Sequence, residues 1–242
     1  MAHGTPDWWG SEPTETIFQS QDVGELAVRL GSIVSFDRRG NVLYLSSFEE
    51  GLTRWQATTA GTGAAAVISS ATARSGAYSV KLQGGSDGGK YAEIATLLAY
   101  PKLSKFGLEV SFTLEANLTY VEADFLIFDG TNQYEADIRY DQDNSKLQYK
   151  NSLNVWTDLI TGLTLMTSPG CFHTLKLVID GDLLEYFYVL IDDQEASLAG
   201  QGMLPTASPG SPGLGVYIWA YSAAGQNGKS YVDDVIITQN EP

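Results

Sequence analysis

Two short runs put carboxylates at alternate positions, Glu122-Ala123-Asp124 and Glu135-Ala136-Asp137. On a strand, residues two apart share a face, so each run presents two acids side by side. Paired carboxylates are what glycan hydrolysis uses: one protonates the departing oxygen while the other attacks or activates water. The dipeptide Asp129-Gly130 between the runs signals a two-residue type I′ turn. Such a turn pairs Phe128 with Thr131, and therefore Phe125 with Tyr134, Ala123 with Ala136 and Val121 with Ile138. It also sets Asp124 opposite Glu135 and Glu122 opposite Asp137, with Arg139 nearby. Like charges directly opposite one another are unfavourable. The sequence therefore predicts either a fully solvated acidic face or one that holds a bound cation or a basic partner.

Other chemistry is thin. The histidines are His3 and His173, and no Gly-x-Ser-x-Gly elbow or phosphate-binding glycine loop accompanies them. Cys171 and His173 share a strand face, but a lone cysteine of this kind reads as a small buried hydrophobe. As the single cysteine, Cys171 also excludes an internal disulfide framework and a thiolate zinc cluster. Fourteen basic against 29 acidic residues give a net charge of −15, which argues against a nucleic-acid backbone or an anionic membrane as partner.

These residues need a scaffold, and from Asn41 onward the pattern has period two. In Gly107–Glu115 the residues Leu108, Val110, Phe112 and Leu114 point one way and Glu109, Ser111, Thr113 and Glu115 the other. Val42–Phe48, Tyr78–Leu82, Tyr91–Leu98, Thr174–Asp180, Leu183–Asp192, Leu214–Tyr221 and Ser230–Thr238 read likewise. Clusters rich in Gly, Ser and Pro separate them, and about a dozen strands are predicted. This is the pattern of an all-β, antiparallel two-sheet sandwich filling residues 41–242. Leu183–Ile191 carries apolar residues on both faces, so its second face must be covered by a loop, the N-terminal arm or a neighbouring chain.

Residues 1–40 read as an arm. Asp22 and Glu25 have capping-box spacing, Val23, Leu26, Ala27 and Leu30 follow at helical spacing, and Gly31 ends the run. Ahead of this short helix stand isolated apolar points, Trp8, Trp9, Ile17 and Phe18, which are candidate assembly contacts. The first ten residues have no basic n-region and no apolar h-region, so no Sec signal peptide is expected. No apolar run approaches the roughly 18 residues of a membrane span.

Three segments in order carry a resemblance. Phe48-Glu49-Glu50-Gly51 is followed by Trp55, then comes Ser75-Gly76-Ala77-Tyr78-Ser79-Val80, and then Tyr231-Val232-Asp233-Asp234-Val235. This order resembles the jelly-roll carbohydrate-binding modules and their laminin-G and concanavalin-like relatives, over about residues 41–238. The resemblance implies a jelly roll in which the early acid and the late Asp meet and hold a structural calcium. Carried over, the ligands are Glu49, Ser75, Gly76 and Asp233, with Glu50 and Asp234 as alternates. It also implies glycan contact through exposed aromatics, for which Trp156, Tyr217, Trp219 and Tyr221 are the candidates; Tyr217, Trp219 and Tyr221 share one strand face. Sandwich glucanases extend Glu-x-Asp with a third carboxylate, and here Phe125-Leu126-Ile127 and Ile138-Arg139-Tyr140 follow instead. No enzymatic activity is therefore expected.

The Pro-Asp-Trp start, the short helix and the lectin-like sandwich are similar in style to bacteriophage structural proteins. The sequence-based expectation is a non-enzymatic capsid-decoration or tail-associated component of a virion, partnered by copies of itself and by other virion proteins, with glycan contact in addition. The alternative is a carbohydrate-binding, lectin-like protein, extracellular or at a cell surface.

Overall fold

The alternating segments become strands throughout. A computed structural model describes residues 35–87 and 90–242, and among them are sixteen strands, numbered in chain order, and no helix. The arm's helix and the assembly candidates Trp8, Trp9, Ile17 and Phe18 lie outside the described residues.

Sheet A runs in the order β13 (Gln194–Gly202), β12 (Glu185–Ile191), β11 (Ser168–Asp180), β6 (Lys105–Leu114), β16 (Lys229–Gln239), β4 (Ser79–Gln83) and β3 (Ala65–Ser69). The first part of β16 pairs with β4, and β1 (Asn41–Ser46) pairs with its second part. Sheet B runs β10 (Trp156–Thr161), β9 (Lys146–Lys150), β8 (Asn132–Asp141), β7 (Leu118–Phe128), β15 (Gly213–Ser222), β5 (Tyr91–Ala99) and β2 (Gln56–Thr59), with β14 (Leu204–Ala207) beside β8. Every pairing is antiparallel, and β6 and β7, neighbours in sequence, lie in different sheets.

The inward rows of the two sheets form one core. Phe106, Leu108, Val110, Phe112 and Leu114 of β6 face Val121, Ala123, Phe125 and Ile127 of β7 and Val216, Ile218 and Ala220 of β15 across it. Trp55 is also core, packed against Phe48 and Tyr44.

The outer face of sheet A departs from simple alternation. Glu109, Ser111 and Thr113 do point away from the core, yet all three are buried. Residues 36 and 37 lie over Glu109: their backbone N–H groups both donate to its carboxylate. Lys176 of β11, 1% exposed, pairs with Asp37 at 3.0 Å and Glu241 at 2.8 Å. Arg39 stacks over Tyr188, 5.0 Å from the ring centre. The last residues of the expected arm thus supply the cover that β12 requires. A register shift between Tyr186 and Tyr188 then lets Tyr186 point into the core while Tyr188 points out.

Candidate functional site

The chemistry gathers on the outer face of sheet B. β7 and β8 bring Glu122, Asp124 and Asp137 together, with one ligand oxygen from each within 4.8 Å of the others. The faces follow from the alternation, but the register differs from the two-residue turn expected at Asp129-Gly130. Asp129 N–H donates to the Asn132 carbonyl, and the Asp129 carboxylate accepts from Thr131 and Asn132 N–H at 2.7 Å each. This side-chain closure makes a longer loop, with Gly130 at φ +100°. The pairing slips by two residues: Phe128 sits opposite Gln133, Glu122 opposite Arg139, and Asp124 opposite Asp137. A slip of two preserves every face, so the acids still meet, in different pairs.

The acids are not solvated, contrary to the first of the two expectations for this face. Glu122 is 7%, Asp124 5% and Asp137 2% exposed. Lys150 of β9 forms an ion pair with Asp137 Oδ2, and the Trp219 indole N–H donates to Asp124 Oδ2 at 2.6 Å. Asp124 Oδ1 is buried and has no partner. Among the described residues, no donor reaches the Glu122 carboxylate. Burial and the neighbouring Asp137 push Glu122 up to about 8. Burial, then Asp137 and Glu122, raise Asp124 well above its ordinary value. Burial raises Asp137 as well, despite Lys150. For Lys150 the cost of burial is overcome by Asp137, and its ammonium is held more firmly than usual.

Aromatic rings surround the cluster. Tyr217, Trp219 and Tyr221 stand in a row along β15, half-buried. Tyr217 and Trp219 are inclined by 14° with centres 6.3 Å apart, and Trp219 and Tyr221 by 25° at 6.0 Å. Tyr120 stacks on Tyr221 at 4.2 Å, and Tyr91 meets Trp219 edge-on at 4.8 Å. Trp156 enters from β10 beneath the Arg139 guanidinium at 4.1 Å, while Arg139 Nε donates to Gln148 at 2.8 Å. The four sequence candidates Trp156, Tyr217, Trp219 and Tyr221 therefore share one face, and the carboxylates lie between them. Of the other tyrosines weighed from sequence, Tyr140 and Tyr149 are in the core.

Sequence reasoning missed Lys150 and Tyr186. Lys150 follows Tyr149 on a short strand whose partner is fixed only by the β8–β9 register. Tyr186 reaches through the core from sheet A. Its hydroxyl accepts from Asp137 N–H at 2.8 Å and donates to the Lys150 carbonyl at 2.7 Å. It stands in for the ladder bond where β9 ends, and so fixes the backbone under the ion pair. Nothing local in the sequence signals a contact 49 residues away.

The residues expected to hold calcium also come together, around the turn at 74–78. Glu49 Oε1 accepts from Ala77 and Tyr78 N–H at 2.8 Å each, and Asp233 Oδ2 from Arg74 and Ser75 N–H at 2.8 and 3.2 Å. Asp234 pairs with Arg74 at 3.0 Å and accepts from the Ser75 hydroxyl at 2.7 Å. Gly76, at φ +62°, lies so close to the Glu49 carboxylate that a Cβ there would overlap it. Backbone donors thus engage an oxygen of Glu49 and both oxygens of Asp233. Burial and the adjacent Asp234 push Asp233 up to about 6.

No protein-family model matches the sequence, and no curated protein matches it. Solved structures do. The cellulose-induced protein Cip1 superposes with a TM-score of 0.55 at 16% identity, covering 81% of this chain and 96% of that one. The alginate lyase vAL-1 from a Chlorella virus gives 0.55 at 9%, covering 82% and 100%. A carbohydrate esterase from the Shiga toxin-encoding bacteriophage phi24B gives 0.54 at 17%, covering 84% and 100%. A Bacillus subtilis protein described as having a galectin-like fold gives 0.53 at 12%, covering 84% and 97%. The chain shares the two-sheet jelly-roll sandwich fold of these proteins, described for one of them as galectin-like.

Proposed function

We propose that the protein binds a glycan on the outer face of sheet B. The observation that carries this reading is the near-parallel row of half-exposed rings, Tyr217, Trp219 and Tyr221, beside buried carboxylates and Arg139. Pyranose rings stack on aromatic faces, and a few fixed polar groups select among hydroxyls. A carbohydrate esterase and an alginate lyase that share the sandwich support the reading.

The proposal is binding without turnover, because the Glu-x-Asp runs lack the third carboxylate of the sandwich glucanases. Turnover of a polysaccharide that disappears in Glu122→Gln would overturn the non-enzymatic part of the proposal.

The test of binding is retardation on polysaccharide affinity gels. Wild type should be retarded by at least one polysaccharide, and Trp219→Ala should abolish the retardation while leaving the unfolding transition cooperative. Retention unchanged in Trp219→Ala and in Tyr221→Ala would remove the sheet B face from consideration. The reading as a virion component rests on the arm residues outside the described region. Glycan binding draws support from the fold and the face together, and is preferred for that reason.

A further inference from the structure

We infer that Glu122, Asp124 and Asp137 form a binding site for a hard divalent cation of the calcium class, on the same face as the aromatic row and distinct from the turn at 74–78. Three carboxylates from two adjacent strands place a ligand oxygen each within 4.8 Å of one another, and all three side chains are more than nine-tenths buried. Crowding alone does not make a site. The second observation is Asp124 Oδ1: it is buried and unpartnered, while its sister oxygen is held by the Trp219 indole at 2.6 Å. A buried carboxylate oxygen without a donor is costly, and that bond to Trp219 fixes the carboxylate's orientation.

The charges point the same way. Lys150 supplies one ammonium and spends it on Asp137. Arg139 directs its guanidinium to Gln148 and to the rings of Trp156 and Tyr120. No donor among the described residues reaches Glu122. Three acids therefore face two bases, Lys150 paired with Asp137 and Arg139 opposite Glu122 but bonded to Gln148, and a dication offsets the acid charge that remains. The donor set is all oxygen, which suits calcium and leaves coordination positions for water or a sugar oxygen. The cation site stands on the carboxylates; its contribution to sugar contact rests on the glycan-binding reading.

Terbium serves as the probe, because an ion next to Trp219 is excited through that indole. Metal-stripped full-length protein should show saturable terbium emission that added Ca²⁺ displaces. Glu122→Gln and Asp137→Asn should each weaken terbium affinity by tenfold or more, and Glu49→Gln should leave it unchanged. Glu122→Gln is close in shape to the native side chain, and its urea unfolding midpoint shows whether it folds. Absence of saturable emission, wild-type affinity in both cluster variants, or loss confined to Glu49→Gln would each overturn the inference. Retention on the affinity gel with Ca²⁺ and with a chelator separates the two readings. Retention without any cation binding leaves glycan binding standing and removes the cation. Cation binding at the cluster without retention on any gel does the reverse.

Discussion

The two outer faces of the sandwich both bury charge, and they complete it differently. On sheet A, Glu109 accepts two backbone N–H groups from residues 36 and 37, and Lys176 is clasped between Asp37 and Glu241. The chain itself supplies the cover. On sheet B, three acids share one ammonium and one indole N–H, and half-exposed rings surround them. Burial alone does not separate a structural charge from a functional one, since Glu109 and Asp137 are each 2% exposed. Glu241 Oε2 on sheet A is buried without a donor, as Asp124 Oδ1 is on sheet B, so a single orphan oxygen does not separate them either. The crowding does: on sheet A a strap of the same chain brings backbone N–H groups and Lys176 stands between its acids, whereas on sheet B three carboxylates gather within 4.8 Å of one another.

The sharpest way to break this contrast is to remove the ammonium from sheet A. Lys176→Met leaves Glu241 buried without its cation and Asp37 with Arg39 alone, and should cost about 3–5 kcal/mol, read as a fall in the urea midpoint. Asp37, which burial would raise but which Lys176 holds below its ordinary value, should then titrate higher. A loss below about 1 kcal/mol would mean that the network is hydrated and that the two faces do not differ as described.

Removing an acid from sheet B should have the opposite sign. Glu93 lies opposite Trp219 in the ladder, is 6% exposed, and is raised by burial to about 6. Between its unfolded value near 4.5 and about 6 the native state holds a proton that the unfolded chain has released, so stability falls as pH rises through that window. Glu93→Gln should therefore stabilise the protein by about 1 kcal/mol at pH 7 and by nothing below pH 4. Equal effects at both pH values would show that the carboxylate is hydrated.

The same contrast explains what the sequence discloses. Face assignments were legible, because alternation along Leu118–Phe128, Asn132–Asp141 and Gly213–Ser222 is strong enough to survive a register error. The register was not, because Asp129-Gly130 reads as a tight turn until the Asp129 side chain is seen closing a longer one. Burial of Glu109 was illegible for a similar reason: its cover is backbone from residues 36 and 37, which carries no side-chain signature. The strands missed were polar, such as Gln194–Gly202, or short and broken by proline, such as Leu204–Ala207; their place depends on a neighbour already being there. Lys150 became part of the site only through such a strand.

A third region, at the sandwich edge, provides the finest comparison, because there a charge is balanced by a single partner. His173 donates from Nδ1 to Asp192 at 2.7 Å and from Nε2 to the Met166 carbonyl at 3.0 Å. Burial lowers the imidazole pKa, but the bonds to Asp192 and Met166 outweigh it and leave the value raised. Both ring nitrogens face acceptors, so the protonated form is the one that fits. A histidine raised in the folded state contributes stability in full below its unfolded value near 6.5 and loses it as pH climbs through the folded value. Stability measured by urea between pH 5 and 9 should therefore fall less steeply in His173→Gln, whose amide carries no titrating proton, than in wild type; the difference is smaller than either substitution above, and the fall common to both comes from raised carboxylates such as Glu93 and Glu122. If the profile is the same in both proteins, Asp192 is held by Thr174 N–H, at 2.9 Å, rather than by the imidazolium, and this edge belongs with sheet A, where backbone donors complete the acids.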